Sequence, residues 1–452
     1  MSLFGTAGIR GPARTTVTPE LAMAVGRAVA GEDGPFVVAR DGRETGAGLA
    51  AAVEAGIESG GGEVLRAGQL PTPALAYASR GRRGVMLTAS HNPPPDNGIK
   101  LFVDGEEYDA DAEATVEQRV DELPDPAAWD EWGAPREVSV LPDYRDAVAD
   151  YATDLFGAEP LEGLRVAVDC GTGMASVATP QVLRELGAEV VALNATVDGH
   201  FPARESKPTA ETLTDLQAFL ADGAFDLGIG HDGDADRIVV LDPDGEVVHE
   251  DTVLAVLAER YVRESAAGDP VVVTTPNASG RIDERVRAAG GRVERVRLGA
   301  LHEGIARERG AGGDDTAVAF AAEPWKHVHT RFGGWIDGVA SAAVVSALVA
   351  EAGALATLRD PVTERPYRKV SVDCPEERKE PAMATVTEQL PARFPEATVD
   401  TDYGVRVDLP DASWVLVRPS GTEPYVRVYA ESDDVDELID AARAVVADAV
   451  AE

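Results

Sequence analysis

Apolar and polar positions alternate along most of the chain in blocks that predict helices and strands in turn. A helical period begins at Thr18-Pro19 and runs to about Ala30, and Pro35–Ala39 is a short apolar run typical of a buried strand. Helical spacing returns in Gly46–Glu58. Because strands that alternate with helices of about 10 to 15 residues favour parallel sheets, this pattern predicts an α/β protein.

The alternation runs through three cycles and then changes. A second cycle starts at the predicted strand Leu164–Asp169, and a third at the predicted helix Thr252–Glu264. After Pro361 the strands become closely spaced, which predicts an antiparallel sheet, and a helix closes the chain. The predicted elements of this last part are strands Tyr367–Val372, Gly404–Leu409, Ser413–Val417 and Val426–Ala430, a helix near Ala382–Leu390 and the final helix Asp434–Val450.

This pattern predicts an α/β fold with three similar α/β domains, each with a mixed, mainly parallel sheet, and a smaller C-terminal α+β domain. Stretches rich in Pro, Gly or charge mark the expected boundaries. The predicted domains are residues 1–142, 143–246, 247–358 and 359–452.

Charge narrows the classes of partner. The chain has 452 residues and a net charge of −38, from 79 acidic and 41 basic side chains. Such a charge argues against nucleic acid and anionic membranes as partners. Only five basic residues are lysines, and an acidic, lysine-poor surface suits a cytoplasm of molar salt, so we interpret the composition as halophilic.

Two cysteines, no apolar run long enough to span a membrane and no export signal at the start predict a soluble cytoplasmic protein. Its expected assembly is a monomer or a homodimer.

The first candidate site is the segment Thr88-Ala-Ser-His-Asn-Pro-Pro-Pro-Asp-Asn-Gly-Ile-Lys100. Three consecutive prolines forbid a helix there, so Ser90 and His91 are expected on a stiff loop at the carboxyl end of a strand, where α/β sheets bind ligands. A serine beside a histidine is usually only a turn residue beside a polar neighbour. The rest of this loop favours a rigidly exposed hydroxyl.

The second candidate is Gly228-Ile-Gly-His-Asp-Gly-Asp-Ala-Asp-Arg237. It contains G-x-G-x-x-G, but a dinucleotide site would need a helix where another strand is predicted. An EF-hand is excluded because glycine and glutamate are missing at its sixth and twelfth positions. What remains is three carboxylates, Asp232, Asp234 and Asp236, a hard oxygen set that suits Mg²⁺. Acidic turns are common in so acidic a chain, but the arginine that follows favours a function.

Two further segments carry candidate ligands for a small molecule. Arg418-Pro-Ser-Gly-Thr-Glu-Pro424, with Arg427 after it, combines guanidinium groups, hydroxyls and a glycine as an anion site would. Glu323-Pro-Trp-Lys-His327 combines hydrogen-bonding groups with an aromatic plane, as sugar sites do, although its tryptophan is also typical of a protein core.

These four segments, in this order, resemble the α-D-phosphohexomutase family of phosphoglucomutases, phosphomannomutases and phosphoglucosamine mutases, with some archaeal phosphopentomutases. The resemblance runs from Phe4-Gly-Thr-Ala-Gly-Ile-Arg-Gly11 to Arg418–Glu431 and agrees with the fold predicted above. It implies a Mg²⁺-dependent mutase that moves a phosphoryl group between C1 and C6 of a hexose phosphate through phospho-Ser90, with a sugar bisphosphate as intermediate and activator. Phosphoglucosamine and phosphopentose are the alternative substrates.

The resemblance also implies the role of each candidate residue. Ser90 is the phosphorylated nucleophile and, with Asp232, Asp234 and Asp236, holds one Mg²⁺ per chain. Arg10, His91, Lys100 and Arg237 surround the transferred group. The implied substrate-binding residues are Glu323, Lys326, His327, Arg418, Ser420, Gly421, Thr422 and Arg427.

This chain departs from the family in the predicted sugar loop. The family usually has Gly-Glu-x-Ser-Gly-His, whereas this chain has Ala322-Glu-Pro-Trp-Lys-His327, with Trp325 at the position of the small hydroxyl residue. Two other classes stay open beside the mutase. A Mg²⁺-dependent phosphatase would need no second phosphate site, and a non-catalytic sugar-phosphate binding protein would have a damaged serine or metal loop, whereas both loops are complete here.

Overall fold

The computed structural model describes residues 3–5, 8–313, 315–420 and 423–451. They form two compact units. The first contains Met1–Glu250 with Trp325–Leu358, and the second contains Asp251–Pro324 with Arg359–Glu452.

The first sheet belongs to the first unit and has the order β1-β5-β4-β2-β3-β7, with β6 beside β5. Strands β2, β3, β4 and β7 run parallel, whereas β5 is antiparallel to both β1 and β4. Its strands are β1 (Ile9–Pro12), β2 (Phe36–Arg40), β3 (Val64–Gln69), β4 (Arg83–Leu87), β5 (Asp96–Val103), β6 (Glu106–Glu107) and β7 (Pro135–Glu137), and its helices are α1 (Pro19–Val29), α2 (Gly46–Ser59), α3 (Thr72–Ala78) and α4 (Ala110–Glu122).

The second sheet also belongs to the first unit and has the order β11-β10-β8-β9. Strands β8, β9 and β10 are parallel, and β11 turns back antiparallel to β10. The elements are α5 (Leu141–Phe156), β8 (Arg165–Asp169), a short 3₁₀ helix (Met174–Val177), α6 (Thr179–Glu185), β9 (Glu189–Leu193), α7 (Thr214–Asp222), β10 (Leu227–His231) and β11 (Ile238–Leu241).

In the second unit, β12 lies parallel between β13 and β14. The elements of this region are α8 (Glu250–Arg263), β12 (Asp269–Thr274), α9 (Gly280–Ala288), β13 (Arg292–Arg295), α10 (Leu301–Ala311) and β14 (Thr316–Glu323). The chain then continues with β15 (Lys326–Val328) and α11 (Gly338–Ala352), which belong to the first unit, and with α12 (Leu355–Arg359).

The last sheet, in the second unit, is antiparallel throughout, with the order β16-β20-β19-β18-β17. Two helices pack on it through an apolar cluster that includes Val386, Val428 and Val446. The elements are β16 (Tyr367–Asp373), α13 (Glu376–Ala392), β17 (Thr398–Asp400), β18 (Val405–Asp408), β19 (Trp414–Pro419), β20 (Tyr425–Glu431) and α14 (Val435–Ala451).

This architecture confirms the predicted fold class, with mixed α/β sheets followed by a C-terminal antiparallel sheet with helices. Several helices differ from expectation, among them α13 and α4. Helix α13 begins at Glu376 and continues through Pro381, where we had expected a helix start. Helix α4 was not predicted, because it buries only Val116 and so has little apolar periodicity. In the described part of the chain, no helix has the length and apolarity needed to cross a membrane.

Candidate active site

Ser90 lies on the loop that joins β4 to β5, at the carboxyl end of β4. Its side chain is buried, and its hydroxyl donates a hydrogen bond to Oδ2 of Asp232 at 2.6 Å. The residue has a φ of 50°, in the left-handed region, which costs a non-glycine residue roughly 1–2 kcal/mol. The Ser90 N–H donates to Oγ1 of Thr88 at 2.9 Å. Tertiary contacts therefore hold the nucleophile candidate in an unfavourable backbone conformation.

The three aspartates lie on the turn between β10 and β11. All three are buried, and one carboxylate oxygen from each lies within 4.8 Å of the others. Oδ1 of Asp234 and Oδ1 of Asp236 are buried and have no hydrogen-bond partner among the described residues. Buried carboxylate oxygens without partners are costly, and a hard divalent cation would satisfy them. The donor set therefore fits Mg²⁺.

Two threonines that the sequence analysis did not select orient Asp234. The hydroxyl of Thr72 donates to Oδ2 of Asp234 at 2.6 Å, and Oγ1 of Thr88 lies 3.1 Å from the same oxygen. This leaves Oδ1 of Asp234 as the oxygen without a hydrogen-bond partner among the described residues. Thr88 could have been selected because it precedes the serine, but no local pattern distinguishes Thr72.

The metal loop approaches the serine loop so closely that only glycine fits at position 233. A Cβ atom there would lie 2.6 Å from the carbonyl oxygen of Ser90. The glycines of the G-x-G-x-x-G pattern therefore do not prepare a dinucleotide turn, and Gly233 instead permits contact between two loops.

Cations surround the carboxylates. Nε of Arg237 lies 3.8 Å from Oδ2 of Asp232 and 3.7 Å from Oδ1 of Asp236. Nζ of Lys100 lies 3.7 Å from Oδ2 of Asp236 and 2.8 Å from Oε1 of Glu107. Arg10, on β1, has a buried Nε without a hydrogen-bond partner in the described structure. Glu107, the main partner of Lys100, was not predicted.

The pKa values of the site follow from burial and these charges. Burial, together with the carboxylates of Asp236 and Asp234, holds the pKa of Asp232 well above its usual range. Burial acts in the same direction on Asp236, but Lys100 and Arg237 outweigh it and lower the pKa of that carboxyl below its usual range. Asp232 and Asp236 therefore do not carry equal charge without a bound cation.

His91 is neutral at physiological pH. Burial first, and then the charges of Arg237 and Arg10, lower its pKa to about 3. Its Nδ1 lies 3.3 Å from Oγ of Ser90. The imidazole therefore contributes hydrogen bonding rather than positive charge to this part of the site.

The predicted sugar loop is divided between the two units. In the first unit, Lys326 is close enough to His91 and Asp236 to lower the pKa of both. His327 is buried, and its Nδ1 lies 3.1 Å from Oγ of Ser341, which itself donates to the carbonyl of Asp337. The hydroxyl proton is thus used, so Nδ1 of His327 must donate, and Nε2 is an acceptor.

Glu323 and Trp325 occupy different surroundings. Glu323, in the second unit, is buried and accepts a hydrogen bond from the Gly299 N–H at 2.5 Å. Trp325, in the first unit, has a φ of 66° and packs partly against the apolar cluster that contains Leu213 and Phe225. The residue that departs from the family pattern is thus partly a core residue of its unit.

The predicted phosphate site lies in the second unit. Arg418 on β19 and Arg427 on β20 are directly opposite each other in the antiparallel register. Arg418 donates to the hydroxyl of Tyr429 at 2.9 Å, and Arg427 donates to that of Tyr425 at 2.8 Å. In the described structure, the buried Nε of each arginine has no hydrogen-bond partner. Like charges directly opposite on two strands are destabilising, and the carboxylate of Glu423, 3.5 Å from Arg427, offsets part of that repulsion. The positive charge that remains favours a bound anion.

Ser420 is buried next to this pair along the chain, and its carbonyl accepts a hydrogen bond from Nζ of Lys379 at 2.6 Å. Gly421 and Thr422, also predicted to bind the substrate, lie outside the described residues. Within the first unit, the structure brings together Arg10, Ser90, His91, Lys100, Asp232, Asp234, Asp236, Arg237 and Lys326. Glu323, Arg418, Ser420 and Arg427 belong to the second unit.

Comparison with known proteins identifies the class to which this fold and these loops belong. Family models match residues 1–126 as phosphoglucomutase/phosphomannomutase alpha/beta/alpha domain I, 142–245 as alpha/beta/alpha domain II and 370–449 as the C-terminal domain. The chain therefore belongs to the phosphoglucomutase/phosphomannomutase family, the α-D-phosphohexomutases. It is an enzyme of the phosphomutase class, an intramolecular phosphotransferase.

Relatives with different names match nearly the whole chain. A phosphopentomutase of Thermococcus kodakarensis is 43% identical over 96% of this chain and 94% of its own length. A probable phosphoglucosamine mutase of Methanopyrus kandleri is 39% identical over 97% of each chain.

A crystal structure of a phosphoglucomutase/phosphomannomutase family protein from Burkholderia thailandensis has a TM-score of 0.84 at 24% identity, covering 99% of this chain and 97% of that one. At that identity the likeness concerns the fold alone.

Proposed function

We propose that this enzyme transfers a phosphoryl group between C1 and the terminal carbon of a sugar phosphate through phospho-Ser90. The observation that carries the proposal is the 2.6 Å hydrogen bond from the Ser90 hydroxyl to Asp232, inside a buried set of carboxylates and cations. Phosphoryl transfer needs alignment and charge neutralisation more than covalent help. A rigid hydroxyl with fixed charges around it supplies both.

The residues take the following roles in this proposal. Asp232, Asp234 and Asp236, with the serine phosphate, would hold one Mg²⁺, which when bound neutralises charge on the transferred group. Arg237, Lys100 and Arg10 face that group as cations, and neutral His91 hydrogen-bonds near Oγ of Ser90. Arg418, Arg427 and the Ser420–Thr422 segment grip the second phosphate of the substrate. Because the sugar bisphosphate presents either phosphate in turn, that grip must accept both.

For the substrate we propose a pentose phosphate. The relative named phosphopentomutase is 43% identical over nearly all of both chains. Trp325, at the place of a small hydroxyl residue, removes a hydrogen-bonding group and adds volume to the sugar loop, which disfavours a bulky hexose ring. Glucosamine phosphate is the second candidate, because the relative at 39% identity is named a probable phosphoglucosamine mutase. The hexose phosphates expected from the family resemblance form the third arm of the test.

The test is a coupled assay in Mg²⁺ and molar potassium chloride on the 1-phosphates of ribose, glucosamine, glucose and mannose. Ribose 1-phosphate should have the highest kcat/KM. Trp325→Ser should raise the kcat/KM of the hexose phosphates relative to that of ribose 1-phosphate by about tenfold, the size of effect that a change in pocket volume commonly has on specificity. Equal effects on all four sugars would show that this loop does not choose the substrate.

The same assay separates the mutase from a phosphatase. A mutase converts each 1-phosphate into its isomer and depends on a sugar bisphosphate activator. A phosphatase releases inorganic phosphate at the same rate without the activator, and stoichiometric phosphate release would overturn the proposal.

A further inference from the structure

Arg43, which the sequence analysis did not select, is bound on all sides within the first unit. It follows β2 and is 1% exposed. Its guanidinium has five N–H groups, and the structure provides five acceptors. They are Oδ2 of Asp41 at 3.1 Å and the carbonyls of Ser90, Asn92, Pro93 and Asp96 at 2.9, 2.7, 2.7 and 2.9 Å.

Four of these five acceptors belong to one segment, residues 90–96, which contains Ser90. This segment includes Pro93, Pro94 and Pro95, which have no N–H groups to donate. The loop can therefore make few hydrogen bonds within its own backbone. Arg43 supplies the missing donors from outside and ties the carbonyls of the loop to one rigid planar group.

The arginine is itself fixed in position. Asp41 pairs with its Nε and also accepts a hydrogen bond from the Arg43 N–H at 2.9 Å, and Thr88 donates to Asp41 at 2.7 Å. The ring of Phe201 lies 5.1 Å from the guanidinium carbon. Thr88 also accepts a hydrogen bond from the Ser90 N–H. Both backbone groups of Ser90 are therefore held, the N–H by Thr88 and the carbonyl by Arg43.

We propose that Arg43 is a positioning residue that holds the 90–96 loop in the conformation that directs Oγ of Ser90 toward Asp232. This inference rests on the proposed function, because it assigns Arg43 to the step in which Ser90 is phosphorylated. Arg43 forms no hydrogen bond or ion pair with the described carboxylates of Asp232, Asp234 and Asp236. Its loss should therefore reduce the rate of phosphoryl transfer to and from Ser90 while sparing metal affinity and KM.

The decisive variant is Arg43→Lys, which keeps the charge but offers three donors in place of five. The readout is phosphorylation of Ser90 by ribose 1,5-bisphosphate, followed by rapid quench and intact mass, beside Mg²⁺ titration by calorimetry. We expect the phosphorylation rate and kcat to fall about tenfold to a hundredfold, as for a reacting group displaced by about 1 Å, with the Mg²⁺ dissociation constant and KM changed less than about threefold.

Arg406→Lys is the matched control. Arg406 is equally buried and also donates to backbone carbonyls, those of Pro276 and Ala278, but it belongs to the second unit. The Arg406→Lys substitution should lower the melting temperature and leave the rate of Ser90 phosphorylation unchanged. Arg43→Ala, if it folds, should regain phosphorylation in added guanidinium ion, which fits the space left behind.

Unchanged phosphorylation in Arg43→Lys, or an equal loss in Arg406→Lys, would overturn the inference. Its failure is distinguishable from failure of the proposed function, because in the latter case the wild-type enzyme itself would not become phosphorylated on Ser90.

Discussion

The two charged regions of this enzyme are organised in opposite ways. Around Ser90, three buried carboxylates face Arg237, Lys100 and Arg10, and threonines fix the orientation of one of them. At the predicted phosphate grip, Arg418 and Arg427 are paired directly across two strands with tyrosine hydroxyls as partners. The charges of the first region therefore suit a bound cation, whereas those of the second region suit a bound anion.

The two regions differ in the kind of unfavourable interaction that each contains. In the first, the cost lies in buried carboxylate oxygens without partners and in the φ of Ser90. In the second, it lies in the repulsion between two guanidinium groups on one face of a sheet. Ligands that relieve these costs should bind tightly, and in the second region removing the cause of the cost should stabilise the protein without ligand. The predictions below test this contrast.

The largest effect is expected from Ser90→Ala. Loss of the nucleophile should reduce turnover about a thousandfold or more, while the fold remains. Activity is measured in the coupled assay and the fold by circular dichroism. The control is Ser346→Ala, which removes a buried hydroxyl with no hydrogen-bond partner in the described structure and should retain full activity. More than a few per cent residual activity in Ser90→Ala would exclude this serine as the nucleophile.

The next effect is expected in the metal loop. Asp236→Asn should weaken Mg²⁺ binding and activity together by about tenfold to a hundredfold, because one charged oxygen ligand is lost. Because Lys100 and Arg237 outweigh burial and hold the pKa of Asp236 below its usual range, its charge stabilises the fold, and the melting temperature of the variant without metal should fall. Calorimetry and thermal melts with and without Mg²⁺ measure both quantities. Asp244→Asn, an exposed residue of the turn downstream, is the control, and full activity after exhaustive chelation would contradict the assignment.

A smaller effect on catalysis is expected at the grip. Arg418→Gln should raise KM about tenfold, since a charge-assisted hydrogen bond contributes roughly 1.5–3 kcal/mol, while kcat changes less. The free energy of unfolding of the unliganded protein should be unchanged or higher by up to about 1 kcal/mol, because the facing arginine loses its repulsive partner.

Arg368→Gln, which breaks a surface pair with Asp436, is the control for Arg418→Gln. An unchanged KM, or a clear loss of stability without ligand, would show that the Arg418 and Arg427 pair is structural.

The smallest effect is expected from a change in salt concentration. Screening of a net charge of −38 should raise the melting temperature between dilute and molar potassium chloride. The same screening should weaken substrate binding at the grip more than Mg²⁺ binding in the buried carboxylate site. Melts, KM and Mg²⁺ affinity are measured over one salt series. A melting temperature that does not rise would remove the halophilic interpretation.

The parts of this protein that depend on local residue order could be predicted before its structure was known. Three consecutive prolines after a strand predict a stiff loop that carries Ser90. Aspartates at alternate positions of a turn predict oxygen ligands. Periodicity determined the succession of α/β units and the change to an antiparallel sheet after Pro361. These features depend on neighbours a few positions apart, which a sequence displays directly.

Which distant groups meet follows from the packing of the folded chain and could not be predicted from local patterns. The bond from Ser90 to Asp232 joins residues 142 positions apart, and that from Thr72 to Asp234 joins residues 162 apart. Arg43 reaches the carbonyls of the serine loop across about 50 positions, and backbone carbonyls carry no sequence signature. The facing of Arg418 and Arg427 depends on strand register, because a shift by one residue would turn one of them to the other side of the sheet.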